Sequence, residues 1–359
     1  MRSPLISLTL ALTLSLPLAA QARRRATTAP VPFPGCSVVN GTPAVTFTRD
    51  EGRTLAPVAQ ALTGVGYTYG LAALDTPGTM LSWHKATLSI SHDYGCSWQP
   101  VGDWQTDFPP TITAARGGRA FAWSDNREFI LRYDSPGAVV LKAPAVIVGL
   151  GTDRTNGDHV RAGDTNGGLW DSVDGGDSWS PINSLPRLDS SFVYRFSFDP
   201  SNIDHIVAGR LADGSYVTFD GGRHWERSSL DKNFNVMNFA MSPVDPNVVW
   251  AMAVDLRTSV HAMHRSIDGG RTFTQVVAEG GDVFIQNGPV MAAHPTDADV
   301  LYYTHGVSFP EPTVDLYRVE ANGTVTHTTN RFSGFNAIVF SPQDPTVMYL
   351  GLETVKGQS

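Results

Sequence analysis

Four aspartates stand at similar places ahead of apolar segments: Asp107, Asp189, Asp231 and Asp282, the last three 11, 12 and 13 residues before Pro200, Pro243 and Pro295. Aromatic and amide side chains follow them, among them Phe108, Tyr194 with Arg195, Phe234, Asn235, Phe284, Asn287 and, in the last such segment, Phe335 and Asn336. Acids ringed by aromatic groups suit sugar binding, and two carboxyls about 5 to 10 Å apart would suffice for glycoside hydrolysis. Aspartate also simply favours turns, and that plain reading stands beside the other two. The candidate ligand set is Asp107, Asp189, Tyr194, Arg195, Asp231, Asn235, Asp282, Asn287 and Asn336, with no catalytic residue assigned.

Other chemistries find less support. His261 and His264 fall on an expected strand, where residues three apart face opposite sides and do not readily chelate one ion. Asp153, Asn156, Asp158 and Asp164 form an oxygen-rich stretch without the spacing or bidentate Glu of an EF-hand loop. There is no Gly-x-Ser-x-Gly elbow and nothing that supports nicotinamide, haem or nucleotide binding, so neither metal nor cofactor is expected. A formal charge of -8 argues against a nucleic-acid partner held by phosphate contacts.

The elements that would carry these residues repeat. Four segments share Ser/Thr-x-Asp-x-Gly-x-x-Trp/Phe: Ser91, Asp93, Gly95 and Trp98; Ser172, Asp174, Gly176 and Trp179; Thr218, Asp220, Gly222 and Trp225; and Ser266, Asp268, Gly270 and Phe273. The carboxylate can accept N–H groups of a tight turn, the glycine takes a positive φ, and the aromatic ring covers the hairpin. The aspartates are 81, 46 and 48 residues apart, and the first gap is nearly two periods. A degenerate turn at Ser124-Asp125-Asn126 is expected to fill it, and another near Glu320–Gly323 continues the series.

A second element ends in proline: Phe196–Pro200, Phe239–Pro243, Met291–Pro295 and Ile338–Pro342. Its bulky and small positions alternate with period two, as in an inner strand wedged between neighbouring sheets. The last copy has no turn motif after it, while Ala44–Thr48 reads as a strand without an inner partner, so the two chain ends are expected to share one sheet. Four-stranded units of about 48 residues, closed on themselves, make an all-β, seven-bladed β-propeller.

These turns resemble the Asp-box, or BNR, repeats of sialidases, xyloglucan-cleaving glycoside hydrolases, sortilin-type receptors and photosystem II assembly factors. The resemblance implies a hairpin between the third and fourth strands of a blade, on the rim away from the usual binding face, so Asp93, Asp174, Asp220 and Asp268 are read as structural. Sialidases also carry a Phe-Arg-Ile-Pro type motif and an arginine triad for the substrate carboxylate. This chain lacks the motif, and Tyr194-Arg195 is an isolated pairing. The likeness therefore points away from a sialidase and toward a small exported propeller with an interaction role.

Residues 1–22 read as a secretory signal peptide, with Arg2, an apolar Leu-rich run and Ala20-Gln21-Ala22 as the cleavage site. Residues 23–35 read as a flexible segment and 36–359 as one propeller domain, with no spanning segment after cleavage. Cys36 and Cys96 are expected to pair in an oxidising compartment, two separate buried thiols being the alternative. The expectation is a bacterial protein of the medium or periplasm that binds an extracellular or periplasmic protein or glycan. A secreted glycoside hydrolase using carboxylates at the channel mouth is the alternative.

Overall fold

The computed structural model describes residues 33–41, 44–60, 65–106, 108, 110–125, 127–186, 192–307, 312–332 and 334–354. The expected signal peptide and nearly all of the expected flexible segment lie outside them. Among the described residues all regular structure is β, in seven four-stranded antiparallel sheets. Blade 1 comprises Gly70–Ala73, Met80–His84, Thr87–Ser91 and Gln99–Asp103; blade 2, Thr111–Ala115, Arg119–Trp123, Ile130–Asp134 and Gly137–Leu141; blade 3, Ile147–Thr152, Val160–Asp164, Leu169–Ser172 and Ser180–Pro181. Blade 4 comprises Val193–Asp199, Asn202–Arg210, Gly214–Thr218 and Glu226–Arg227; blade 5, Phe234–Met241, Val249–Asp255, His261–Ser266 and Thr274–Ala278; blade 6, Met291–Ala293, Val300–Val307, Thr313–Glu320 and Val325–Asn330. The first strands of the blades neighbour one another in sequence order, and that of blade 7 neighbours that of blade 1, which closes a ring.

Blade 7 is built from both ends of the chain. Gly334–Phe340 pairs with Met348–Thr354, whose other edge takes Val45–Thr48 along one stretch and Gly66–Tyr67 along the next. The shared sheet expected from the sequence is thus present.

Burial explains the strand patterns. Second strands lie between neighbouring blades and are covered on both faces, so they read as continuous apolar runs such as Val249-Trp250-Ala251-Met252-Ala253-Val254. Where a bulky inner-strand side chain crosses to the next sheet, glycine makes room: a Cβ at Gly163 of blade 3 would stand 2.1 Å from the Phe196 ring of blade 4.

An antiparallel meander puts all first-to-second turns and third-to-fourth hairpins on one face, here the hairpin face. The loops entering each blade and the second-to-third loops lie on the other, the entry face. The four acid-and-glycine turns are all third-to-fourth hairpins with one bonding scheme. In blade 1, Ser91 Oγ donates to Asp93 Oδ1 at 2.8 Å and accepts Gly95 N–H at 2.9 Å, while Asp93 accepts Ser97 N–H and Oγ–H at 2.8 and 2.6 Å. The motif glycines have φ of 81, 87, 91 and 97°, where a Cβ is strained.

A fifth turn follows the same scheme and ends blade 7: Thr48-Arg49-Asp50-Glu51-Gly52-Arg53-Thr54-Leu55, with Thr48 Oγ1 on Asp50 and on Gly52 N–H, and Asp50 on Thr54. Leu55 stands where the motif demands an aromatic ring, which hides this copy from a motif search. Conversely, Ser124 and Asp125 do not form the missing hairpin. They follow the second strand of blade 2 on the entry face, Asn126 lies outside the described residues, and blade 2 turns instead at Asp134–Gly137. The Glu320–Gly323 turn does join the third and fourth strands of blade 6.

The hairpins are tied to the rest of the face by backbone bonds. Tyr94 N–H donates to Gly78 O, Gly175 to Asp158, Gly221 to Asp204 and Gly269 to Asn247, all at 2.8 to 2.9 Å. Arginines then reach the next blade, from the second strands of blades 2 and 3 and the third strand of blade 5: Arg119 to Asp158, Arg161 to Ile203 O (3.0 Å) and Asp204 (2.8 Å), and Arg265 to Asp299.

Cys36 and Cys96 form a disulfide that fastens the N-terminal segment to the blade 1 hairpin, across 60 residues of chain. The double variant Cys36→Ser, Cys96→Ser is expected to lose about 4 kcal/mol on a chain-entropy account, read as a lower denaturation midpoint in urea without reductant. The turn carboxylates set a second expectation. Hydrogen bonds from Ser178 hold Asp174 at about 2, and those from Thr155 hold Asp153 at about 2, below the usual value near 3.9. Carboxylates depressed in the fold favour it fully above about pH 4, and that contribution drains away as pH falls toward about 2. The urea midpoint should fall over this window, and Asp174→Asn should flatten the fall.

Candidate functional site

The residues singled out ahead of the inner strands do reach the entry face, distributed around the ring. Tyr194 and Arg195 begin the first strand of blade 4, Asn235 that of blade 5 and Asn336 that of blade 7, while Asp231, Asp282 and Asn287 lie in the loops before blades 5 and 6. Asp107 and Asp189 lie outside the described residues. Among the described residues no hydrogen bond joins two members of the set; each one ties a loop to its own turn or to a neighbouring blade.

Asp231 accepts both the N–H and the side-chain amide of Asn233 at 2.9 Å, capping its own turn. Asp282 offers its main-chain oxygen to the Tyr317 hydroxyl at 3.0 Å and is otherwise exposed. Asn235 Oδ1 accepts Ala212 N–H at 2.6 Å, joining blade 5 to the second-to-third loop of blade 4. Asn287 Oδ1 lies 2.9 Å from His261 Nε2, whose other nitrogen is 2.8 Å from Glu279. His264, on the same strand, is buried against Phe234, and that burial lowers it to about 4. Asp164 ends the second strand of blade 3, while Asp153, Asn156 and Asp158 lie before its start, so these oxygens do not gather.

Arg195 reaches Asp125 at 3.3 Å and stands 5.8 Å over the Trp123 ring, linking blade 4 to blade 2 across the channel side of blade 3. Tyr194 packs edge-on against Phe192 at 4.8 Å, and burial raises its phenol. Phe192 itself is 43% exposed; Phe108 and Phe284, each in a loop leading into a first strand, are 54% and 52% exposed. Tyr69, Val65 and Leu256 are further exposed apolar side chains of this face. The entry face therefore presents separate aromatic prominences between polar loops, a pattern suited to macromolecular contact.

Two polar clusters escaped the sequence reading because they come from second-to-third loops and from the end of the chain. In blade 4, Asp213 receives Arg227 at 2.7 Å, Tyr216 Oη at 2.8 Å and the fully buried Arg210 at 3.4 Å. In blade 7, the Asn336 amide stands 3.5 Å from Glu353 and reaches the Tyr69 hydroxyl. Burial raises both the Glu353 carboxyl and the Tyr69 phenol. Of these positions the strand-and-proline pattern marks Asn336 alone.

Cavities open on the hairpin face. One of about 390 Å³ is lined by Leu74, Asp75, Arg116, Asp153, Phe198 and Pro342, where the inner strands end. Another of about 380 Å³ lies at the seam of blades 6 and 7.

One relative, the dispase autolysis-inducing protein of Streptomyces mobaraensis, is 43% identical over 337 residues, covering 90% of this chain and 90% of its own. No protein-family model matches. Among solved structures, YCF48 from Cyanidioschyzon merolae is similar with a TM-score of 0.57 at 11% identity, over 80% of this chain and 96% of its own. A GH74 xyloglucanase from Xanthomonas campestris gives 0.60 at 14% identity, over 81% and 52%, so the chain spans about half the length of that enzyme. At such identities these structures share the fold.

Glu353 supplies a check on the blade 7 cluster. A carboxyl raised by burial opposes folding once ionised, and that penalty grows as pH rises through its folded value. Glu353→Gln is expected to raise the melting temperature at pH 7 and to leave it unchanged near pH 3; equal melting at pH 7 would deny the carboxyl this environment.

Proposed function

We infer the function from one premise: the chain belongs to the family of the dispase autolysis-inducing protein. That relative's name describes a protein that induces self-cleavage in dispase. Carried to this chain, it makes a propeller that docks on a peptidase and promotes the peptidase's autolysis, with the entry face as the docking surface. Residues 1–22 would direct export, 36–359 would form the single acting domain, and the acid-and-glycine hairpins would be Asp boxes in a structural role.

The observation that carries this reading is identity running through nine-tenths of both chains, so that the whole ring is held in common rather than one blade. Two features support it. The Cys36–Cys96 disulfide suits the oxidising compartments where secreted peptidases work. The exposed rings of Phe108, Phe192 and Phe284 are large apolar contact surfaces of the kind that contribute heavily to protein interfaces. The hydrolase alternative asks for two facing carboxyls, one of them held protonated. Asp231 commits its Oδ1 to its own turn, and among the described residues no hydrogen bond joins two of the candidate acids, which leaves that alternative the weaker.

The test is to mix the purified protein with dispase and follow fragments on a gel alongside residual peptidase activity. Self-cleavage faster than in dispase alone is expected. The triple variant Phe108→Ala, Phe192→Ala, Phe284→Ala should slow it roughly tenfold or more, each anchor being worth about 1 kcal/mol or more, at unchanged melting temperature. Unaltered dispase, or turnover of aryl glycosides by the unmodified protein, would sink the reading.

A further inference from the structure

The seam cavity of about 380 Å³ is lined by three separate parts of the chain: Arg49–Glu51 and Arg53 from the N-terminal hairpin, His294 and Tyr302 from blade 6, and Phe340 to Met348 from the C-terminal strands. Its size is that of a small-ligand site. Three rings form one wall, with centroids of His294, Tyr302 and Phe340 5.6 to 6.0 Å apart.

The hydrogen-bonding groups at the cavity are unevenly used. Asp50 is committed to Thr48 and Thr54, and Glu51 receives the Tyr302 hydroxyl at 2.8 Å and Arg318 at 3.4 Å. Arg49 donates to the main-chain oxygens of Phe33 and Pro34. Both carboxylates are therefore occupied from within. His294 Nδ1 accepts the Thr296 N–H at 3.2 Å, which places the ring proton on Nε2. Among the described residues that Nε2–H has no partner, and the Arg53 guanidinium makes no hydrogen bond, its charge acting only at longer range on Asp50. What the cavity has left over is donors and ring surface.

We propose that the seam cavity binds a small ring-bearing carboxylate, its ring against His294 and Phe340 and its carboxylate on Arg53 and the His294 Nε2–H. Guanidinium and imidazole donors match two carboxylate oxygens, and aromatic walls accept either an aromatic acid or the apolar face of a sugar acid. Because the lining comes from both chain ends and from blade 6, an occupant would cross-brace the closure of the ring and stabilise the folded state. This site is independent of any peptidase partner.

Calorimetric titration and thermal melting of the full chain would test it with four probes: 4-hydroxybenzoate and its amide, galacturonate and galactose. One of the two carboxylates should bind and raise the melting temperature, with its neutral counterpart at least roughly tenfold weaker; which one binds separates an aromatic from a sugar acid. Arg53→Gln should cost roughly tenfold or more in affinity at an unchanged unliganded melting temperature. His294→Asn, which keeps an acceptor for Thr296, should weaken binding as well. Absence of binding by both carboxylates, equal binding of the neutral probes, or full affinity in Arg53→Gln would overturn the proposal. Should Arg53→Gln fail to fold, amide shifts induced by the bound probe in the parent protein must centre on residues 49–53, 294–302 and 340–348, and shifts centred elsewhere would equally overturn it.

Discussion

The ring depends on the pairing of Val45–Thr48 with Met348–Gly351, which, with Gly66–Tyr67 on the same strand, joins the two ends of the chain in one sheet. Every blade is packed between two others, so failure at this seam would uncover sheet faces on both sides of the break. The residues buried there include Phe47, Tyr349, Met348 and Leu350, and large buried side chains of this kind each contribute about 2 kcal/mol. Closure is slow to reach, because the partners are separated by nearly the whole chain. The fold compensates with local reinforcement. The Cys36–Cys96 bond, the Arg49 contacts to Phe33 and Pro34, and the bridges of Val39 to Val58 and Asn40 to Ser97 hold the N-terminal segment against blades 7 and 1.

The two faces of the disc divide the work. On the hairpin face the turn polar groups are spent on structure: the motif aspartates cap their own turns, the residues before Pro200, Pro243, Pro295 and Pro342 accept N–H groups of the following turn, and arginines stitch blade to blade. Such saturation makes the face rigid and leaves few of its carboxylates free for a partner. On the entry face the loops are capped individually, and exposed phenylalanines rise between them. A protein of formal charge -8 thus offers, on that face, contact surface that depends more on shape and ring area than on charge.

The legibility of the fold follows from where its constraints are local. An Asp-Gly hairpin is specified within eight residues, so the turns of blades 1, 3, 4 and 5 could be read directly, and their spacing gave the blade size. Blade 2 was misplaced because its hairpin, Asp134–Gly137, uses proline and glycine without the motif, while Ser124-Asp125 imitates the motif's polarity at the wrong end of the blade. The Thr48–Leu55 turn went unread for the opposite reason: its polar core is complete, and only the covering side chain differs. Of the Glu353–Asn336–Tyr69 cluster only Asn336 could be read, because the cluster unites residues from the two ends of the chain through a register that no local pattern encodes.

The same reasoning bears on the seam cavity. Within blades 3 to 5, repetition places equivalent side chains at equivalent sites, and a bonding scheme that satisfies one turn satisfies its copies. At the seam the repeat is interrupted: Gly66–Tyr67 replaces the continuation of Val45–Thr48, and the hairpin after Thr48 packs on blade 6 through Tyr302 and Arg318. The interruption leaves the Arg53 guanidinium and the His294 Nε2–H beside the seam cavity without a hydrogen-bond partner among the described residues. A closed ring therefore acquires its asymmetry, and with it the chance of a specific small-molecule site, at the point where its chain begins and ends.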